Sequence, residues 1–85
     1  MQKRNDVFKM NAIQCKLARV AVGMGVRELA AAADVAASTV ARFEAGGELK
    51  PRTVAAMKTV LEAAGVIFID ENGEGPGVRL RKVRP

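Results

Sequence analysis

The sequence predicts a mainly α domain of four short helices, bundle-like in arrangement, followed by a two-stranded β-hairpin at the C-terminus. Three observations predict it. Apolar residues recur at spacings of three and four through residues 10–64, the mark of buried helical stripes. Gly23, Asp34, Gly46-Gly47, Pro51 and Gly65 then divide that stretch into pieces of helical length. From Val66 the pattern changes to a β-branched and aromatic run, a Gly-rich turn and an alternating run, which reads as a hairpin. At 85 residues there is room for one small domain, with a core modest enough that a second copy would help it.

Residues 1–5 are polar and basic and read as a flexible arm, residues 6–65 as the helical domain, and residues 66–85 as the hairpin with a basic tail. The first helix starts at Asp6 or Asn11 and runs to Val22, where Gly23 ends it. Its stripe of Met10, Ile13, Leu17, Val20 and Met24 is expected to pack on the two helices that follow, with Lys16 and Arg19 on a more polar side. Cys15 falls between Ile13 and Leu17 and reads as semi-buried filler, since a reactive thiol needs a neighbouring His or a clustered positive field.

Residues 26–46 read as two helices joined by a tight turn, and the other elements are arranged around them. Leu29, Ala30 and Ala33 form the inner face of the first, Val40 and Phe43 that of the second. Ala30 is small, as a close helix crossing demands. Asp34 tolerates the left-handed conformation that a sharp exit needs, and Val35 plugs the angle. Pro51 suits the first turn of a fourth helix, where its missing N–H costs nothing. That helix is expected to reach Ala64 with Val54, Met57, Leu61 and Ala64 buried, and Gly65 to form its left-handed cap.

In the hairpin, Val66 and Phe68 lie on one face of the first strand, Ile67 and Ile69 on the other. One face can cover the helices and the other needs a different cover, so Ile67, Ile69, Val78 and Leu80 are the candidate contacts to a second subunit or a protein partner. The alternative is a hairpin folded wholly onto its own domain.

The balance of 14 Lys and Arg against 9 Asp and Glu, net +5, suits an anionic partner, either nucleic acid or a membrane surface. The excess falls in residues 1–58, with the helices. With no His and one Cys there is neither an internal disulfide nor a zinc set, and no nucleophile stands beside a base, so neither catalysis nor a metal or other cofactor is expected. No apolar run approaches the roughly 20 residues of a membrane span, and MQKRNDVFKMN has no signal-peptide core. The expected location is the cytoplasm, on the nucleoid.

Leu29-Ala30, Asp34-Val35, Ser38-Thr39-Val40, Arg42-Phe43-Glu44 and Gly46 stand in the register of a known pattern. The segment resembles the helix-turn-helix of the Cro/phage-repressor, or xenobiotic-response-element-like, family of transcriptional regulators, over about residues 11–65. Three positions depart from it: Asp34 replaces the usual Gly, Val26 a frequent Gln, and Ala45 a frequent Asn. The first is harmless; the other two are expected to cost phosphate contacts. The resemblance implies a lambda-repressor-like bundle that binds double-stranded DNA. It further implies a structural ion pair between Arg19 and Glu44, and a homodimer on an inverted repeat with half-sites about ten base pairs apart.

A helix in the major groove shows its outer face to base edges, here Ala37, Ser38, Ala41 and Arg42. Arg42 can grip O6 and N7 of guanine, Ser38 can serve several bases, and Ala37 or Ala41 can pack on a thymine methyl. Thr39, Lys50, Arg52 and Arg27 are the candidate phosphate contacts. The tail of Arg79, Arg81, Lys82 and Arg84 is either a further backbone clamp or charge guarding a sheet edge. The function implied is that of a bacterial or phage-type sequence-specific transcriptional regulator without a small-molecule ligand or membrane partner. Two alternatives are an antitoxin-like or adaptor module that uses the hairpin, and a sequence-nonspecific architectural DNA-binding protein.

Overall fold

The computed structural model describes residues 9–82. The arm at residues 1–5, the earlier start of the first helix at Asp6, and Arg84 lie outside the described residues. Four helices, α1 (Ala12–Ala21), α2 (Val26–Ala33), α3 (Ala37–Glu44) and α4 (Pro51–Ala63), precede the strands β1 (Val66–Ile69) and β2 (Gly77–Leu80), which pair antiparallel.

Each helix begins and ends for a local reason. The Asn11 side chain accepts from the Gln14 N–H at 2.8 Å while Gln14 Oε1 accepts from the Asn11 N–H at 3.0 Å, a reciprocal cap that starts α1. Gly23, at φ +71, lets the chain fold back so that the Met24 N–H donates to the Arg19 carbonyl oxygen at 2.8 Å. Glu28 Oε1 accepts from the Gly25 N–H at 2.7 Å and opens α2. Asp34 closes α2 in the left-handed region at φ 61, the one non-glycine residue there among those described. The Val35 N–H then reaches the Ala30 carbonyl oxygen at 2.9 Å. Pro51 is the first residue of α4, and Gly65 follows its end at φ +110.

The core gathers Leu29 and Ala30 of α2, Val40 and Phe43 of α3, Met57 and Leu61 of α4, and Val66 of β1, with Met10, Cys15 and Ala18 from the α1 side. Val35, Ala33 and Val54 pack on its margin. Here α1 departs from the expected stripe. Ile13 is 63% exposed, Leu17 47% and Val20 62%, and Gln14, Cys15 and Ala18 face inward instead. That face carries the small Cys15 and Ala18 beside Gln14, whose amide finds hydrogen-bond partners on the hairpin and at the helix start. Lys16 shares the solvent side with the apolar stripe, while Arg19 turns toward α3. Cys15 is fully buried rather than semi-buried. Ala64 is exposed, because the chain has already left α4 there and the buried Val66 covers the same end of the core.

The strands pair Val66 with Leu80, Ile67 with Arg79, Phe68 with Val78 and Ile69 with Gly77. Opposed residues share a face of an antiparallel pair, so Val66, Phe68, Val78 and Leu80 lie on one side and Ile67, Ile69 and Arg79 on the other. Phe68 and Val78 pack against the core with Val66. Lys58 of α4 stands 5.5 Å from the centre of the Phe68 ring and 3.0 Å from Glu62, tying α4 to β1. Buried Gln14 donates from Nε2 to the carbonyl oxygens of Ile69 at 3.1 Å and Gly77 at 3.0 Å, and so pins the turn end of the hairpin to α1. No helix among the described residues is long and apolar enough to cross a membrane.

Candidate nucleic-acid interface

The outer face of α3 is set by the phase of its inner one. Val40 and Phe43 are buried, which turns Ser38, Ala41 and Arg42 to solvent. Ala37 does not join them fully: it is half-buried and packs on the margin of the core, because the first turn of α3 leans on the chain leaving α2. Thr39 is half-buried within that first turn, and its N–H donates to the Ala36 carbonyl oxygen at 2.9 Å. Among the described residues no side chain caps the start of α3, which leaves the positive end of the helix available to an outside acceptor.

Cations stand on the segments that precede and follow α3 in the chain. Arg27 lies in the first turn of α2, Lys50 immediately precedes α4, and Arg52 lies in its first turn; all three are exposed, as is Arg42. None of these four makes a side-chain hydrogen bond or ion pair among the described residues, whereas Arg19 and Lys58 are both engaged with carboxylates. Arg52 also lines an open groove of about 740 Å³ together with Phe43, Gly47, Leu49 and Lys9, so the loop after α3 and the start of α4 form one surface.

Behind α3 is a buried polar cluster. Arg19 Nε donates to Glu44 Oε2 at 2.8 Å and Nη2 to Oε1 at 2.8 Å, while Nη1 donates to the Met24 carbonyl oxygen at 3.2 Å. This is the pair that the family resemblance implies, in two-pronged form, with side chains 13% and 9% exposed. Cys15 Sγ donates to Glu44 Oε2 at 3.3 Å. The hydrogen bonds from Arg19 hold the Glu44 carboxyl below its ordinary range despite its burial, and the same bonds raise Arg19 further. Burial, then the hydrogen bond to Glu44, push the Cys15 thiol up to about 12, so it is a neutral donor at pH 7. The cluster fixes α1 to the last turn of α3. Its third member was not legible as such in the sequence, where Cys15 carried only the signal of a small apolar residue.

The proposed partner surface is divided between two faces. Ile67 and Ile69 are half-buried on the outer side of the hairpin; Val78 packs inward, and Leu80, on the inner side, remains 51% exposed. Arg79, Arg81 and Lys82 are exposed along and beyond β2, and the Arg81 N–H donates to the Gly65 carbonyl oxygen at 2.7 Å, extending the ladder. Among the described residues no group of three His, Cys, Asp or Glu is placed to hold a metal ion. No protein-family model matches this chain, and no curated protein matches it.

Proposed function

We propose that the chain is a sequence-specific double-stranded-DNA-binding transcriptional regulator of bacterial or phage type, in which α2, the Asp34 turn and α3 act as a helix-turn-helix. The observation that carries this reading is the outer face of α3, small and free of acids around Ser38 and Ala41, with Arg42 exposed and, among the described residues, no ion pair on it or on Arg27, Lys50 and Arg52 of the neighbouring segments. An eight-residue helix is about 12 Å long, which suits the major groove. In this reading Arg42 grips guanine and Ser38 and Ala41 contact neighbouring base edges. Ala37, half turned to the core, contributes less. Thr39, Lys50, Arg52 and Arg27 hold phosphates, and the Arg19–Glu44 pair keeps α3 at a fixed angle to the domain.

The regulator acts as a homodimer, placing two copies of α3 in successive major grooves about 34 Å apart. Two apolar surfaces are open to the second copy: Ile13, Leu17 and Val20 on α1, and Ile67 and Ile69 on the outer side of the hairpin. The mechanism is occupancy of a promoter by a cytoplasmic, nucleoid-associated protein that performs no catalysis. The same surfaces favour one second reading, an adaptor that docks on another protein through α1 or the hairpin.

Selection of bound fragments from a random DNA library at about 150 mM salt, where nonspecific attraction is screened, tests the proposal. An enriched inverted repeat is expected. Binding without an enriched motif points to sequence-blind coating, and no binding by the folded protein points to the adaptor; either overturns the regulator.

A further inference from the structure

We propose that Gly47 is a positioning residue for base recognition, seating the stem of Arg42 by having no side chain of its own. The inference rests on the reading of Arg42 as the base-contacting residue. At the end of α3 the Gly46 N–H donates to the Phe43 carbonyl oxygen at 3.0 Å and the Gly47 N–H to the Arg42 carbonyl oxygen at 2.8 Å, so the chain folds back over the last turn. That fold brings the Gly47 backbone under the Arg42 side chain. A Cβ on Gly47 would lie 2.7 Å from Arg42 Cγ, 3.0 Å from its carbonyl oxygen and 3.4 Å from Cδ.

The two neighbouring glycines therefore do different work. Gly46 sits at φ +102, where any other residue is strained, yet a Cβ there meets nothing within 4 Å. Gly47 lies outside the left-handed region, so its φ does not demand glycine; what a Cβ would meet there is Arg42, most closely at Cγ of the stem and then at its carbonyl oxygen. The Cγ and Cδ of Arg42 rest against this wall, close to the backbone, where the side chain has least freedom to yield. The stem thus leaves the helix in a set direction, and a side chain already placed loses less freedom when its guanidinium docks. A methyl group at residue 47 must move the stem, and with it the point from which the guanidinium reaches a base.

The test compares the native protein with G47A, G46A, R42A and the double variant R42A/G47A. Affinities are measured for a duplex carrying the selected repeat, the same duplex with the Arg42-dependent base pair changed, and random duplex, with thermal melting alongside. G47A is expected to lose about tenfold of its preference at that one base pair while binding random duplex as the native protein does. G46A lowers Tm and keeps the preference. R42A abolishes the preference, and G47A adds nothing to that loss in its background. Native preference in G47A overturns the inference; native preference in R42A overturns the reading of Arg42 instead. Melting decides the case even if G47A folds too poorly to bind: its loss of Tm should shrink in the R42A background, where Cγ and Cδ are gone, and an equal loss in both backgrounds overturns the seat.

Discussion

At the scale of single residues, the side chains on the two sides of α3 should separate cleanly in their effects. Arg42→Ala should weaken binding to the selected site by about 1–3 kcal/mol and relax preference at one base pair per half-site, because a bidentate grip on guanine is lost. Lys50→Ala should weaken every sequence alike and make binding less steeply dependent on salt. Equal losses on selected and random duplex for both variants would remove Arg42 from the base-reading role. Glu44 acts from behind the helix: Glu44→Ala strands the mostly buried Arg19 and leaves Cys15 without its acceptor, so stability should fall by about 2–4 kcal/mol in urea titration. The sign of its pH dependence follows from its lowered pKa. The folded state binds the Glu44 proton less readily than the unfolded one, so the stabilisation is present above the ordinary glutamate range near 4.3 and is lost as pH falls through the folded value below it. Native and Glu44→Ala proteins should accordingly converge in Tm on acidification. Cys15, neutral and enclosed, should resist iodoacetamide at pH 8 until the chain is unfolded; rapid labelling of the native protein would contradict its place in the cluster.

Among the elements, those whose packing is decided locally were legible in the sequence. Leu29, Val40 and Phe43 are large, apolar and correctly phased, and Asp34, Pro51 and Gly65 announce their backbone conformations by residue type. The phase of Val40 and Phe43 also fixes which side of α3 looks outward, apart from Ala37, which a neighbouring segment covers. α1 is the harder case because it carries two stripes: Met10 and Met24 at its ends pack inward as expected, while Ile13, Leu17 and Val20 between them face solvent. Ile13, Leu17 and Val20 are the more hydrophobic, but the inward face holds the small Cys15 and Ala18 beside Gln14, whose amide bonds the hairpin, and size with polar pairing outweighs hydrophobicity. Nor could the local pattern show that Gln14 reaches carbonyl groups 55 and 63 residues away, or that the fold-back after α3 puts Gly47 under Arg42. Gln14 makes an element-scale prediction. Gln14→Leu keeps the side chain's approximate size but strips the Ile69 and Gly77 carbonyls of their donor and the Asn11 N–H of its acceptor, at about 1–3 kcal/mol. Amide exchange should accelerate in β1 and β2 and stay slow in α2 and α3, since an isolated two-stranded hairpin is marginal without its support. Uniform acceleration throughout would show that Gln14 holds the whole domain rather than the hairpin.

For the whole molecule, the small core and the exposed row of Ile13, Leu17 and Val20 on α1 belong to the same economy of size: a short chain cannot enclose all its apolar surface. Ile13, Leu17 and Val20 follow spacings of four and three, the seam along which one helix packs on another, and Leu17 lies at its middle. The outer side of the hairpin presents Ile67 and Ile69 beside Arg79, a more mixed surface. If two copies meet along α1, Leu17→Glu places a charge on each side of the seam and should yield monomers in sedimentation at concentrations where the native protein is dimeric. The fold of the monomer should be preserved, because Leu17 is already 47% exposed and exposed substitutions away from special features stay within about 0.5 kcal/mol. Binding to a full inverted repeat should then weaken, while binding to an isolated half-site is unchanged, since each copy keeps its own α3 and loses only the tether that makes the second contact intramolecular. Ile67→Glu supplies the comparison: if it yields monomers and Leu17→Glu does not, the copies meet through the hairpin. A native protein that sediments as a monomer on and off the repeat would remove the dimer from the mechanism and leave α1 for a different partner.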